Sequence, residues 1–106
     1  MIVQFDNPDL EFIFQGIKPK RKPVINEVIA GKFIKTVKLL KYIENIPKLS
    51  QYAGLNFEAL KGAYKGKYSV RLDQRYRIIL RIQKDKIFVE EILVIEELTD
   101  HYKRIL

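Results

Sequence analysis

Seven cations crowd into a short stretch of this chain. Lys61, Lys65, Lys67, Arg71, Arg75, Arg77 and Arg81 fall within residues 59–81 with Asp73 as the one acid, so the segment carries +6. Residues 85–100 reverse the sign: Asp85, Glu90, Glu91, Glu96, Glu97 and Asp100 against Lys86 give −5. The cations are interleaved with apolar residues. Tyr68, Val70 and Leu72 alternate with Ser69 and Arg71, and Tyr76, Ile78, Leu80 and Ile82 alternate with Arg75, Arg77 and Arg81. That is the pattern of two half-buried strands. Paired as a hairpin around Asp73-Gln74, they set their arginines on one shared face. Such a face suits a phosphate backbone, with Tyr64 or Tyr68 stacking on a base. It also suits a solvated sheet surface held by ion pairs, with Arg77 answering Glu90 or Glu91 and Glu58 answering Lys61. The two charge blocks are expected to be neighbours in one sheet.

The whole chain leans the same way. Its 106 residues hold 20 Lys+Arg against 13 Asp+Glu, a formal +7, and the pI is about 9.6. A polyanionic partner fits that balance: nucleic acid, an acidic protein or an anionic membrane. Hydrophobic residues at 47% are too many for a disordered chain, and the length suits one domain spanning residues 1–106. The absence of cysteine excludes a disulfide scaffold, a thiolate zinc site and a cysteine nucleophile. The one histidine, His101, excludes a multi-histidine metal site. No apolar run approaches the roughly 20 residues of a membrane span. Asp6 and Asp9 stand where a signal peptide would have its apolar stretch. The cytoplasm is the expected address.

Several elements must position the basic face. Ile2, Val3 and Phe5 suggest a first strand, and Asn7-Pro8 opens a short helix ending at Gly16. Residues 18–23, KPKRKP, read as a loop. A longer helix is expected from about Val24 to Ile46. Its core stripe is Ile29, Phe33, Val37, Leu40 and Ile43, Asn26 and Gly31 weaken its first half, and Pro47 stops it. Lys48 to Asn56 reads as a polar connection. After the hairpin come a turn at Lys84-Asp85-Lys86, a buried central strand over Ile87–Ile95, and a short tail from Thr99 to Leu106. Helices first and strands together afterwards make an α+β fold, with the helices on one face of an antiparallel sheet.

A family resemblance enters at Glu58-Ala-Leu-Lys-Gly62, Gly66-Lys-Tyr-Ser-Val-Arg71 and Tyr76-Arg-Ile78. This core resembles the RelE/ParE superfamily of toxin–antitoxin toxins, and looks most like its YoeB and HigB ("killer protein") branches. The His101-Tyr102 pair adds to the likeness. The segment between Arg77 and His101 is longer than in the YoeB pattern, and Glu96-Glu97 lies in the added length. The resemblance implies a RelE-like small antiparallel sheet with two N-terminal helices on one face and the active site on the other. It implies a ribosome-dependent endoribonuclease that cuts mRNA in the decoding site and is silenced by a cognate, acidic antitoxin. A toxin–antitoxin complex on operator DNA belongs to the same expectation.

Metal-free RNA cleavage needs a base for the 2′-hydroxyl, a cation for the phosphorane-like transition state and an acid for the departing 5′-oxygen. By resemblance Glu58 takes the base position, Arg77 the phosphate clamp and His101 the acid, with Tyr102 orienting or stacking the substrate. Lys61, Lys65, Lys67, Arg71 and Arg75 are expected to contact RNA. No metal or other cofactor is expected. Two other functions share these features: a ParE-like inhibitor of DNA gyrase, and a catalytically silent module that binds its antitoxin.

Overall fold

The structure, a computed structural model, describes residues 1–17, 25–84 and 91–100. The chain runs through β1 (Ile2–Phe5), α1 (Pro8–Phe14), α2 (Glu27–Tyr42), α3 (Ile46–Ser50) and a 3-10 turn (Ala53–Leu55). It continues through β2 (Glu58–Ala59), a second 3-10 turn (Gly62–Tyr64), β3 (Tyr68–Arg71), β4 (Arg77–Lys84) and β5 (Glu91–Thr99).

Local chemistry sets the helix ends. The Asn7 side chain accepts the Asp9 N–H at 3.0 Å, with Pro8 in the first turn, where its missing N–H costs nothing. Gly16, at φ +80°, closes α1. Its N–H reaches the Ile13 carbonyl (3.0 Å) and the Ile17 N–H reaches that of Phe12 (2.8 Å), the paired bonds of a Schellman motif. Asn26, expected to weaken α2, begins it: its side chain accepts the Ile29 N–H at 2.9 Å. The helix is shorter than the apolar stripe suggests, because Ile43 turns extended while keeping its side chain buried. Pro47 is not the stop. It lies in the first turn of α3, which Asn45 caps, so part of the expected polar connection is helical.

The sheet order is β1-β5-β4-β3-β2, so β4 is central, and β5, expected to be the central strand, is an interior strand between β1 and β4. β5 extends to Thr99, past the expected Ile95. The sheet is mixed rather than antiparallel: β1 pairs parallel with β5, Ile2 opposite Ile92 and Phe5 opposite Ile95. The apolar residues of β1 report a strand but carry no direction; the crossover through the helices and the β3–β4 hairpin sets it. The expected loop at 18–23, the turn at Asp85-Lys86, the start of the central strand and the tail from His101 onward lie outside the described residues.

One core lies between helices and sheet. Leu10, Phe33, Val37 and Leu40 meet Val70, Ile78, Leu80, Leu93 and Ile95, all nine fully buried. The opposite face is set by alternation and by one irregularity. Ile79 pairs with Glu97 and Leu80 with Ile95, so Glu96 is an extra residue in β5, a β-bulge. The bulge lets two consecutive side chains, Glu96 and Glu97, face away from the helices, while Leu98 returns to the core.

Candidate active site

On the face away from the helices, β2, β3 and β4 bring Glu58, Ser69 and Arg77 together. Glu58 stands opposite Ser69, and Arg71 opposite Arg77. Alternation places Ser69 and Arg77 on the same side, so the diagonal between them is short. Arg77 is only 4% exposed and Ser69 is fully buried. A buried cation must be partnered. The Ser69 hydroxyl accepts from Arg77 Nε at 3.2 Å and Nη2 at 2.7 Å, and the Asn56 carbonyl accepts from Nη2 at 2.7 Å. Asn56 has φ +42°, a left-handed conformation that asparagine tolerates better than most residues, and it aims that carbonyl inward. The Glu58 carboxylate completes the group with an Oε2 atom 3.9 Å from Nη2. Arg77 is thus fixed in orientation beside a carboxylate whose side chain is 35% exposed. This arrangement supplies a held cation and an accessible proton acceptor.

A second charge group lies further along β4. The Glu96 carboxylate sits between Lys67 Nζ (2.5 Å) and Arg81 Nη1 (2.7 Å), and Arg81 also reaches Asp6 at 3.3 Å. The two charge blocks therefore meet across the sheet, as expected. Burial pushes the Glu96 carboxyl up, but the hydrogen bonds and charges of Lys67 and Arg81 outweigh it and hold the group below its ordinary range. The Tyr64 hydroxyl donates to Glu97 at 3.4 Å. Burial first, and the Glu97 charge second, raise its pKa.

The other expected residues divide. Glu58 and Arg77 come together. Arg71 is exposed, its Nε donating to the Asp73 carbonyl at 3.2 Å. Arg75 is in the turn rather than on the strand face; its exposed side chain lies 3.4 Å from Asp100. The turn pulls it there, since Asp73 Oδ1 accepts both the Arg75 and Tyr76 N–H groups. Lys61 and Lys65 are exposed on either side of the 62–64 turn. Tyr68 is not on the basic face: its ring stacks on Phe57, 5.1 Å apart and 7° from parallel, packed against the core. It is turned away from any base lying on that face. His101 and Tyr102 lie outside the described residues, two and three positions after Thr99, which pairs with Arg77.

Sequence reasoning passed over Asn56, Ser69, Arg81 and Glu96 as site residues. Ser69 had a signal, since it alternates in phase with Arg71. Asn56 had none beyond its tolerance of a left-handed backbone. Among the described residues no group of three His, Cys, Asp or Glu side chains comes together, and no helix is long and apolar enough to cross a membrane.

Residues 3–93 match the family model described as the RelE-like toxin of the type II toxin–antitoxin system HigB. Among solved structures, the chain is similar to a YoeB/ParE toxin from Agrobacterium tumefaciens at 20% identity, over 96% of this chain and 100% of that one, with a TM-score of 0.54. It is also similar to YafQ from E. coli at 12% identity, over 96% of this chain and 94% of that one, with a TM-score of 0.56. At these identities the likeness is one of fold. Among curated proteins, none matches the chain.

Proposed function

Since the chain belongs to the HigB-like family of RelE-like toxins from type II toxin–antitoxin systems, we propose that it arrests translation as a ribosome-dependent endoribonuclease acting in the cytoplasm. The family makes an antitoxin its partner. The finer reading adds the ribosome and mRNA as targets, and operator DNA as a site for the toxin–antitoxin complex.

The observation that carries this reading is the Glu58–Arg77 pair, a carboxylate 3.9 Å from a cation fixed by Ser69 and Asn56. Glu58 draws the proton from the 2′-hydroxyl, and the freed oxygen attacks the adjacent phosphorus. Arg77 meets the charge that gathers on the phosphoryl oxygens; held in place beforehand, it needs little reorganisation at the moment of reaction. His101 protonates the 5′-oxygen as that bond breaks, leaving a 2′,3′-cyclic phosphate. Tyr102 stacks on the substrate. Lys61, Lys65, Lys67, Arg71 and Arg75 contact the RNA backbone.

The test is inducible expression in a bacterial host, with primer extension on an abundant mRNA. In-frame cuts from the wild type, lost in Arg77→Met while the protein stays folded by circular dichroism, are the expected result. Growth arrest without cuts would replace the reading with a gyrase-type inhibitor. The 4% exposure of Arg77 also favours a second reading, in which the arginine only ties the Asn56–Glu58 segment to the sheet. In that silent antitoxin-binding module, wild-type expression produces no arrest although antitoxin binding is tight.

A further inference from the structure

Glu96 stands at the centre of the second charge group. It is the extra residue of the β5 bulge, with no ladder partner on β4. Its carboxylate bridges Lys67 and Arg81 from two different strand regions. The carboxylate side chain is 11% exposed, whereas Lys67 and Arg81 are 36% and 37% exposed, so the cations are reachable from solvent while their anion lies beneath them. Glu96 Oε1 meets Lys67 Nζ at 2.5 Å and Oε2 meets Arg81 Nη1 at 2.7 Å, so each carboxylate oxygen answers one of the two cations. A phosphodiester, with acceptor oxygens in more directions, can meet both cations from the solvent side.

Placement ties this site to the candidate active site. Arg77 and Arg81 are four residues apart on one face of β4, roughly 13 Å along the strand. We propose that Lys67 and Arg81 form a second phosphate-binding site for the backbone of single-stranded RNA, occupied in the free protein by the Glu96 carboxylate. The inference rests on the nuclease reading in taking RNA as the ligand. The site is built by Lys67, Arg81, Glu96 and Asp6 with the Tyr64 ring 5.8 Å from Lys67 Nζ, so it offers cations and one aromatic ring rather than the broad apolar centre that a protein partner buries. When RNA binds, Glu96 withdraws. Because the bulge residue has no ladder partner, its withdrawal breaks no strand pairing.

The experiment measures binding of a 2′-O-methyl single-stranded oligonucleotide, which cannot be cleaved, by fluorescence anisotropy between 50 and 200 mM salt. Glu96→Gln keeps the side chain's shape and removes its charge. It is expected to tighten binding several-fold and to steepen the slope of log K against log salt by about 0.7, the increment for one more phosphate contact on a single strand. Arg81→Gln is expected to flatten the slope by about the same amount, and Arg81→Lys to preserve it. Asp6→Asn, which relieves Arg81 from its other side, provides a second gain variant should Glu96→Gln unfold. If neither the gain variants nor Arg81→Gln change the slope, or no binding is seen, the proposal fails. It also fails if polyglutamate competes with the same dependence on these variants, which would make the site one for acidic peptides. Primer extension on the same variants separates the two readings. A changed slope without mRNA cuts leaves the phosphate site standing and removes the nuclease. Cuts with an unchanged slope do the reverse.

Discussion

Removing the Ser69 hydroxyl probes how tightly Arg77 is held. Ser69 is fully buried, and its oxygen accepts from two nitrogens of a guanidinium that is itself 4% exposed. Ser69→Ala leaves those donors facing a methyl group that cannot accept. Hydrogen bonds to charged groups contribute about 1.5–3 kcal/mol, and a buried donor without a partner carries a desolvation cost of similar size. The Asn56 carbonyl still holds Nη2, so the expected loss is about 2 kcal/mol. Unfolding entropies of about 2.1 cal/mol/K per residue then predict a fall of roughly 9 °C in Tm for a chain of this length. The control is Arg77→Met, which removes the charge and keeps much of the volume. In that background Ser69→Ala should be nearly neutral, because no cation is left to strand. Urea denaturation of the four proteins gives a coupling energy, expected at about 1.5–2 kcal/mol. A Ser69→Ala loss equal in both backgrounds would refute the reasoning, since the serine would then be a packing residue unrelated to Arg77.

Other expectations can be checked with the same material. Asn56→Gly should retain the fold, whereas Asn56→Val, forcing a β-branched residue to φ +42°, should lower the urea midpoint by the equivalent of about 1–2 kcal/mol. Gly66, at φ +91° with open space around it, should lose about 1 kcal/mol on change to alanine, from backbone strain rather than clash. Glu96 sets an acid limb. Its folded pKa lies below the unfolded value of about 4.3, so its stabilisation is complete above that value and is lost as pH falls through the folded one. Acid titration of Glu96→Gln, followed by circular dichroism, should show a shallower loss of stability below about pH 4.3 than the wild type.

The hairpin and its shared face were legible because period-two alternation survives from Tyr68 to Ile82, and a buried face strongly specifies register. The helical stripe of α2 was legible for the same reason at a different period. The ends of the helices were not. Asn26 and Pro47 were judged by their interior propensities, whereas each occupies a helix start, where asparagine and proline are favoured. Tyr68 looked like a stacking platform, yet the phase that placed Ser69 and Arg71 outward had already turned it inward. The bulge did leave a trace: the core residues of β5 step from Leu93 to Ile95 and then to Leu98, a break of one in the alternation. The Glu58–Arg77 encounter came from family likeness, since two residues 19 positions apart on different strands leave no periodic signal.

The parallel pairing of β1 with β5 makes assembly depend on the order of synthesis. Among the described residues β1 pairs only with β5, Ile2 with Ile92, 90 positions apart, so closing that loop is an entropic cost met late in folding. β5 is also the strand that lies against Arg77, through Thr99, and that carries Glu96 to Lys67 and Arg81. A chain still being translated can form its helices and its hairpin, but the finished cationic surface waits for residues 91–99.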